Sequence, residues 1–397
     1  MEALGWAIFV FALLFSVMLH ETGHFVMAKK FGMKATRYFV GFGPTIFSFW
    51  RGETEYGIKA LPLGGFVKII GMHSLDDVDP EDEPRSFRRA PAWQRIIVLA
   101  AGSFMHFLLA FVLIGGLALG IGIENDNTTQ VGTISPCVAS NVKDLDNDVC
   151  RAGDPKSPAE LAGLRAGDTI TAINGKKVNT WTEFEAIRQL PVGSVASITV
   201  LRAGKTLTLH AKLAHVNGRS GAYLGVSQTV VFQTASPIGA ITYAGSAFWQ
   251  VLDGSADAVA ALPGALPKLF NKKERADSAG GQVTSVYGAA EATGQAVAAD
   301  VGWQYKVSFV LLLIASLNIF VGVFNMFPLL PLDGGHVAIV IWERIRAWLA
   351  RLRGRPDPGL VDISKVLPVC FSIFVIVMCF GVLLIVADIV NPLNVVG

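Results

Sequence analysis

Four runs of apolar residues, 4–27, 96–123, 307–332 and 366–389, stand out along the chain. Each is long enough to cross a bilayer as a helix, which takes about 20 residues. The second run carries no charge, and the fourth is broken only by Asp388. The first holds His20, Glu21 and His24 near its end. A signal peptide would show a basic start and a small-residue cleavage site. The first run has neither, so it reads as a retained span.

Between the runs the pattern changes. Thr54 to Leu61 alternates polar and apolar positions, which predicts strands joined by a turn, with a glycine pair at Gly64 and Gly65. Such backbone beside a membrane must pair with itself. Residues 35–92 therefore read as a β-hairpin or sheet dipping into the membrane together with a solvated acidic loop at 76–83. Residues 130–228 alternate like a small β domain with one helix over 182–189, capped by Thr180 or Thr182. The Ala- and Gly-rich stretch after it reads as helical at 238–261 and 289–299.

The expected fold class is a polytopic α-helical membrane protein with four transmembrane helices, a membrane-associated β-hairpin or sheet, and an α+β domain outside the membrane. The spans belong to segments 1–34, 93–123, 305–335 and 366–390. Between them lie the β region at 35–92, the outside domain at 124–228, a helical segment at 229–304 and a basic segment at 336–365.

Composition supports the membrane reading: 52% of residues are hydrophobic and 16% charged, against about 25% charged in ordinary globular chains. Mean hydropathy is +0.49. Short basic loops mark the cytoplasmic side. Lys29, Lys30, Lys34, Arg37 and Arg51 follow the first run, and Arg85, Arg88, Arg89 and Arg95 precede the second. Arg344, Arg346, Arg351, Arg353 and Arg355 separate the third from the fourth. Residues 124–306 and both termini are then outside. The basic residues are topological, and the net charge of +2 points to no nucleic-acid partner. Cys137 and Cys150 both fall outside, where a disulfide persists. Cys370 and Cys379 read as packed core residues of the fourth span.

His20-Glu21-Thr22-Gly23-His24 sets two imidazoles at i and i+4, on one helix face, with a carboxylate beside them. That spacing lets both rings reach one metal ion while Glu21 takes a proton from a metal-bound water. At a rise of about 1.5 Å per residue, His20 lies about 24 Å along the first span, in its cytoplasmic half. Ionisable groups at such depth are costly and mark function or pairing. Catalytic zinc commonly takes three protein ligands plus water. The third run ends in Asn325-Met326-Phe327-Pro328-Leu329-Leu330-Pro331-Leu332-Asp333-Gly334-Gly335. There the prolines stop the helix, the glycines permit a tight turn, and Asp333 offers a carboxylate at matching depth. The competing role for Asp333 is a cap for a helix over 336–345.

These motifs together resemble the site-2 protease family of intramembrane zinc metalloproteases. The family pairs His-Glu-x-x-His in its first core helix with Asn-x-x-Pro-x-x-Pro-x-Asp-Gly in a later one. The likeness is nearest to single-PDZ bacterial members of the actinobacterial type, regulators of sigma-factor signalling. It implies Zn2+ bound by His20, His24 and Asp333, Glu21 as catalytic base, and Asn325 positioning the substrate or oxyanion. It implies that the hairpin, with Gly64 and Gly65, pairs with substrate as an added strand. The implied setting is the bacterial cytoplasmic membrane, with the active site near its cytoplasmic face. The implied substrates are single-pass membrane proteins, such as anti-sigma factors trimmed by an upstream site-1 protease, or signal-peptide remnants. Two positions depart from the family. Ala101-Gly102-Ser103-Phe104-Met105-His106 stands in place of Ala-Gly-Pro-x-x-Asn, and Phe320 in place of an Asn for which Asn318 is a substitute. His106 then reads as a hydrogen-bonded histidine within the bundle.

Ser157 to Asp168, with the Ile173-Asn174-Gly175 turn, resembles a PDZ domain. The resemblance implies a peptide groove walled by the 183–189 helix and by a loop, either 131–135 or 223–226. The domain's place over a membrane active site suggests a gate that admits trimmed substrates, the alternative being a docking module without gating. The rival classes are a metal-keeping receptor without catalysis and an ion transporter.

Overall fold

The computed structural model describes residues 1–72, 76–125, 127–139, 144, 149–217, 221–265, 270, 285–361 and 367–391. They form two compact units, Met1–Gly120 with Ser236–Gly397, and Ile121–Ala235. The helices in chain order are α1 (Glu2–Lys30), α2 (Ala92–Gly120), α3 (Pro158–Leu161), α4 (Trp181–Phe184), α5 (Pro237–Ala265), α6 (Val286–Ala298), α7 (Trp303–Asn325), α8 (Asp333–Leu352) and α9 (Leu367–Val390). The strands are β1 (Ala35–Arg51), β2 (Thr54–Ile69), β3 (Ile123–Asn125), β4 (Val131–Ile134), β5 (Thr169–Ile173), β6 (Lys176–Lys177), β7 (Val195–Arg202), β8 (Lys205–Lys212), β9 (Val226–Gln228) and β10 (Val231–Gln233).

In the first unit, α1, α2, α7 and residues Cys370–Val390 of α9 are long and apolar enough to cross a membrane. Lipid gives helices no hydrophobic reason to associate, so small residues that let backbones touch take over. A Cβ on Gly23 of α1 would lie 2.4 Å from the Ala101 carbonyl oxygen of α2. A Cβ on Gly5 would lie 2.7 Å from the Cα of Gly294 in α6. The short α6 seats its alanines against Phe9 of α1, and Trp6 meets Tyr287 edge-on at 5.3 Å. Asp388 of α9 is buried, and its carboxylate accepts a 2.7 Å hydrogen bond from the Ser285 N–H at the start of α6. The charge that breaks the fourth apolar run thus anchors a neighbouring helix end. Cys379 does not pack in a core; it sits on the exposed face of α9, because only the far end of that helix is buried.

The third helix stops at Asn325, seven residues before the apolar run ends, since Pro328 and Pro331 follow. Gly334 and Gly335 occupy the first turn of α8, not a tight turn between elements. Their lack of side chains serves close approach: a Cβ would fall 2.2 Å from the Met326 oxygen or 2.5 Å from the Leu330 nitrogen.

β1 and β2 form an antiparallel pair turned at Gly52–Glu53. Both strands bend, so that residues 37–40 align with 65–68 on one side and with 55–58 on the other. Gly64 and Gly65 lie inside β2, away from the turn. At the turn, Glu53 accepts from Arg85 at 2.7 and 2.8 Å and from Lys29 at 2.5 Å. Those bonds, Arg85 foremost, hold its carboxyl at about 2. The acidic loop is less free than expected. Asp82 pairs with Lys34, and Glu83 with Arg88 and Arg89. Arg95 is likewise no plain surface charge, being buried in an ion pair with Glu343 of α8.

The second unit carries a four-stranded sheet in the order β6-β5-β7-β8, with β4–β9 and β3–β10 as separate antiparallel pairs. The β3–β10 pair carries this unit beyond the 130–228 stretch that alternation marks. The expected 182–189 helix is one α turn, α4, followed by a 3-10 segment over Glu185–Gln189. Thr180 is its cap, accepting from Glu183 N–H at 3.2 Å. Val131, Ile170, Ile198, Val200, Phe184 and Leu224 are among its core. Cys137 and Cys150 are disulfide-bonded.

Asp168 is 1% exposed and takes two 2.7 Å hydrogen bonds from Arg202 and one of 2.8 Å from Arg165 N–H. Burial alone would raise its pKa, but these bonds outweigh burial and the net shift is downward. A lowered folded-state value means stability present above the unfolded carboxyl value of about 3.9 and lost as pH falls through the folded one. Asp168→Asn is expected to cost this unit about 1.5–3 kcal/mol, read as faster amide exchange in β5 and β7 at neutral pH. The difference from wild type should shrink below about pH 3.9.

Candidate metal centre

The structure brings His20, His24 and Asp333 together although the last two lie 309 positions apart in the chain. His20 Nε2 lies 3.0 Å from His24 Nε2. Asp333 Oδ2 lies 3.3 Å from each. Ligands about 2.0–2.1 Å from a tetrahedral zinc are about 3.3 Å apart along each edge. The three distances fit that figure. Asp333 Oδ2 and His20 Nδ1 are buried with no hydrogen-bond partner among the described residues, which is costly for groups without a further role. Asp333 is the first residue of α8, whose N-cap is Leu332, and no side chain caps that end. The capping role is therefore set aside in favour of the histidines.

His24 is aimed by a contact with the neighbouring helix. His24 Nδ1 is 2.7 Å from the Val98 carbonyl of α2. A carbonyl only accepts, so Nδ1 donates and Nε2 turns its lone pair to the centre. Gly102 makes the space. A Cβ there would meet His20 Cε1 at 2.4 Å and His24 Nε2 at 2.5 Å.

Glu21 is held from the other side. Its Oε2 accepts from the Val67 N–H of β2 at 3.0 Å, leaving Oε1 available for a proton. The close approach of β2 depends on Gly65, where a Cβ would lie 2.6 Å from Met18 Sδ and 3.7 Å from Glu21 Cγ. Gly64 has φ +139°, a conformation that L side chains rarely adopt. Thr22 bonds to Tyr38 of β1 at 2.7 Å, a second tie between helix and sheet. Asn325 is the half-buried last residue of α7.

His106 is indeed hydrogen-bonded within the bundle. Its Nδ1 lies 2.8 Å from Asn318 Oδ1 and 3.1 Å from Ser16 Oγ, and Ser16 also bonds to Asn318. The His106 ring is 5.0 Å from that of His20. His106, which departs from the family pattern, and Asn318, the substitute for the Asn replaced by Phe320, are thus partners of each other beside a candidate ligand.

A family model for peptidase family M50 matches residues 8–355. The chain belongs to peptidase family M50. This is the site-2 protease family that the paired motifs resemble, and the match spans both of them. Among curated M50 relatives, the zinc metalloprotease Rip1 of Mycolicibacterium smegmatis is 37% identical over 418 residues, covering 100% of this chain and 99% of that one. Rip1 of Mycobacterium tuberculosis is 35% identical over 408 residues, covering 98% of each. Among solved structures, the PDZ domain of an SdrC-like protein from Listeria monocytogenes matches at 26% identity. It covers 25% of this chain and 90% of that one, with a TM-score of 0.17.

Sequence reasoning on this M50 chain missed Gly102, Val98 and Val67. Two act through backbone atoms that every residue has. Gly102 was visible only as a place where a side chain is missing. Gly102→Ala should weaken metal binding by about 10–100-fold, as loss of a supporting contact does, because the imidazoles must move. Metal content of the purified variant, measured by elemental analysis after dialysis, checks this; full occupancy would contradict it.

Proposed function

We propose that this chain is an intramembrane zinc endopeptidase whose metal is held by His20, His24 and Asp333 and whose general base is Glu21. The observation that carries this reading is the triangle of ligand atoms at tetrahedral-edge spacing, with the Glu21 carboxylate on the adjoining helical position. Bound there, Zn2+ supplies a Lewis acid that polarises the scissile carbonyl and acidifies a water. Glu21 accepts the proton of the attacking water and passes it to the departing amide nitrogen. The Val67 N–H keeps one oxygen of Glu21 engaged, so the proton is taken by the other. The Asn325 side chain binds the substrate backbone, and β2 near Gly64 and Gly65 holds an unwound substrate stretch as an added strand.

The substrates are single-pass membrane proteins already trimmed outside the membrane by a site-1 protease. The chain works in the bacterial cytoplasmic membrane with its metal near the cytoplasmic face. The Ile121–Ala235 unit is an extracytoplasmic PDZ domain. A groove of about 300 Å³ between Trp181, Phe184, Ile187 and Arg188 and the residues from Tyr223 to Gln228 favours the 223–226 loop as the peptide-binding one. A receptor that kept its metal for structure alone would be expected to close the fourth position with protein and would give Glu21 no role.

Glu21→Gln is expected to lower cleavage of a single-span substrate by about 10²–10⁴-fold while metal content stays at the wild-type level. Cleavage unchanged by this substitution would overturn the assignment of the base, and no cleavage by either protein would favour the receptor. Excision of residues 130–228 is expected to admit an untrimmed substrate that the intact chain rejects. Gel-based cleavage in proteoliposomes reads both, and continued rejection of the untrimmed form would remove the gate.

A further inference from the structure

Helix α8 presents an apolar stripe that none of the described residues covers. Ile341, Ile345, Trp348 and Leu352 recur at i, i+4, i+7 and i+11, which places them along one line of a helix turning about 100° per residue. Trp342 widens the stripe. Trp342 is 53% exposed, Trp348 59% and Leu352 66%. The opposite side of the helix carries the buried Val340 and Ala347 and the Glu343 that pairs with Arg95. The exposed stripe is therefore the outer face, not the packed one.

Arginines border the stripe on both sides. Arg344 and Arg351 follow one edge and Arg346 and Arg353 the other, with Arg355 just beyond the helix. No Asp or Glu occurs over residues 344–356. A stripe of Trp, Ile and Leu flanked by cations is the pattern of a helix lying in the boundary of a bilayer, its apolar face sunk among acyl chains and its cations at phosphates. The level is right as well. Glu343 pairs with Arg95 in the first turn of α2, so the residues after it begin where that spanning helix enters the membrane.

We propose that the outer face of α8 binds the anionic lipid surface of the bilayer, and that this attachment holds Asp333 in position at the metal centre. The occupant is lipid and not a protein because five arginines without an acid match a field of phosphates. Each basic residue near such a surface adds about fivefold to partitioning. The coupling follows from continuity. Asp333 is the first residue and Trp348 the sixteenth of one unbroken 20-residue helix, a rod of about 30 Å. Its depth and tilt at one end set the carboxylate at the other.

The test uses the full chain in vesicles of phosphatidylcholine alone or mixed with phosphatidylglycerol. Ile345→Cys, in a Cys370→Ser, Cys379→Ser background, takes a nitroxide whose exposure to oxygen and to a water-soluble nickel complex reports depth. The label is expected to sit in the acyl boundary with the mixed lipid and to become water-accessible when Arg344, Arg346, Arg351 and Arg353 are all changed to Gln. A label in water with both lipids overturns the attachment, as does one buried only when a second protein is added. The activity arm rests on the proposed peptidase function, whereas the label does not, so the two readings fail separately. Cleavage is expected to fall about fivefold or more in phosphatidylcholine alone, and the four-arginine variant should show no lipid dependence. Equal cleavage by wild type in both lipids, although the label leaves the boundary in phosphatidylcholine alone, would overturn the coupling to Asp333.

Discussion

The distance between α1 and α2 governs the rest of the first unit. At Gly23 the two backbones approach until no methyl group fits between them, and at Gly102 the α2 backbone lies as close to the two imidazoles of α1. The same closeness puts the Val98 carbonyl within 2.7 Å of His24 Nδ1 and leaves room for both imidazoles over Gly102. Helix association in lipid rests on packing and polar contacts, so a gap of one methyl would loosen the pair and unset the histidine tautomer together. Structure and chemistry meet in two residues that carry no chemistry of their own.

Polar groups inside the bundle do the remaining positioning. A buried polar atom without a partner is costly in a low-dielectric interior, and here the partners come from different helices. Ser16, His106 and Asn318 join α1, α2 and α7. Arg95 joins α2 to α8, and Asp388 joins α9 to α6. Each pairing penalises a rotation or slide of one helix against its neighbour more sharply than apolar packing would. The register that results delivers Asp333 to His20 and His24 from a helix that begins only there.

Much of this was legible in the residues themselves. Apolar runs gave the four helices that, among the described residues, are long and apolar enough to cross a membrane, and the spacing of His20 and His24 fixed a shared face. The proline pair marked where the third helix must stop, and the carboxylate after it was the one the structure brings to the histidines. What stayed hidden depended on contacts distant in sequence or made by backbone. Glycines at 64 and 65 read equally well as turn or close approach until β2 was seen passing against α1. Arg95 and Asp82 read as solvated charges because nothing local reveals a partner on another element. The exposed side of Cys379 was hidden because a helix apolar all round gives no sign of which face is packed.

In the proposed mechanism, metal binding and proton transfer depend on different parts of the fold. The proposed ligands are placed by helices: His20 and His24 by the α1–α2 contact, Asp333 by the start of α8. Glu21 shares α1 with the histidines, yet its side chain is oriented by the Val67 N–H of β2, and Thr22 beside it is tied to Tyr38 of β1. The sheet that holds the base is, in the proposed mechanism, also the element that receives the substrate strand. A substrate pairing with β2 would therefore act on the orientation of Glu21 directly, while leaving the ligand triangle to the helices. Such an arrangement ties readiness of the base to occupancy of the sheet, and it gives a reason for a β-hairpin to persist where helices alone could hold the metal.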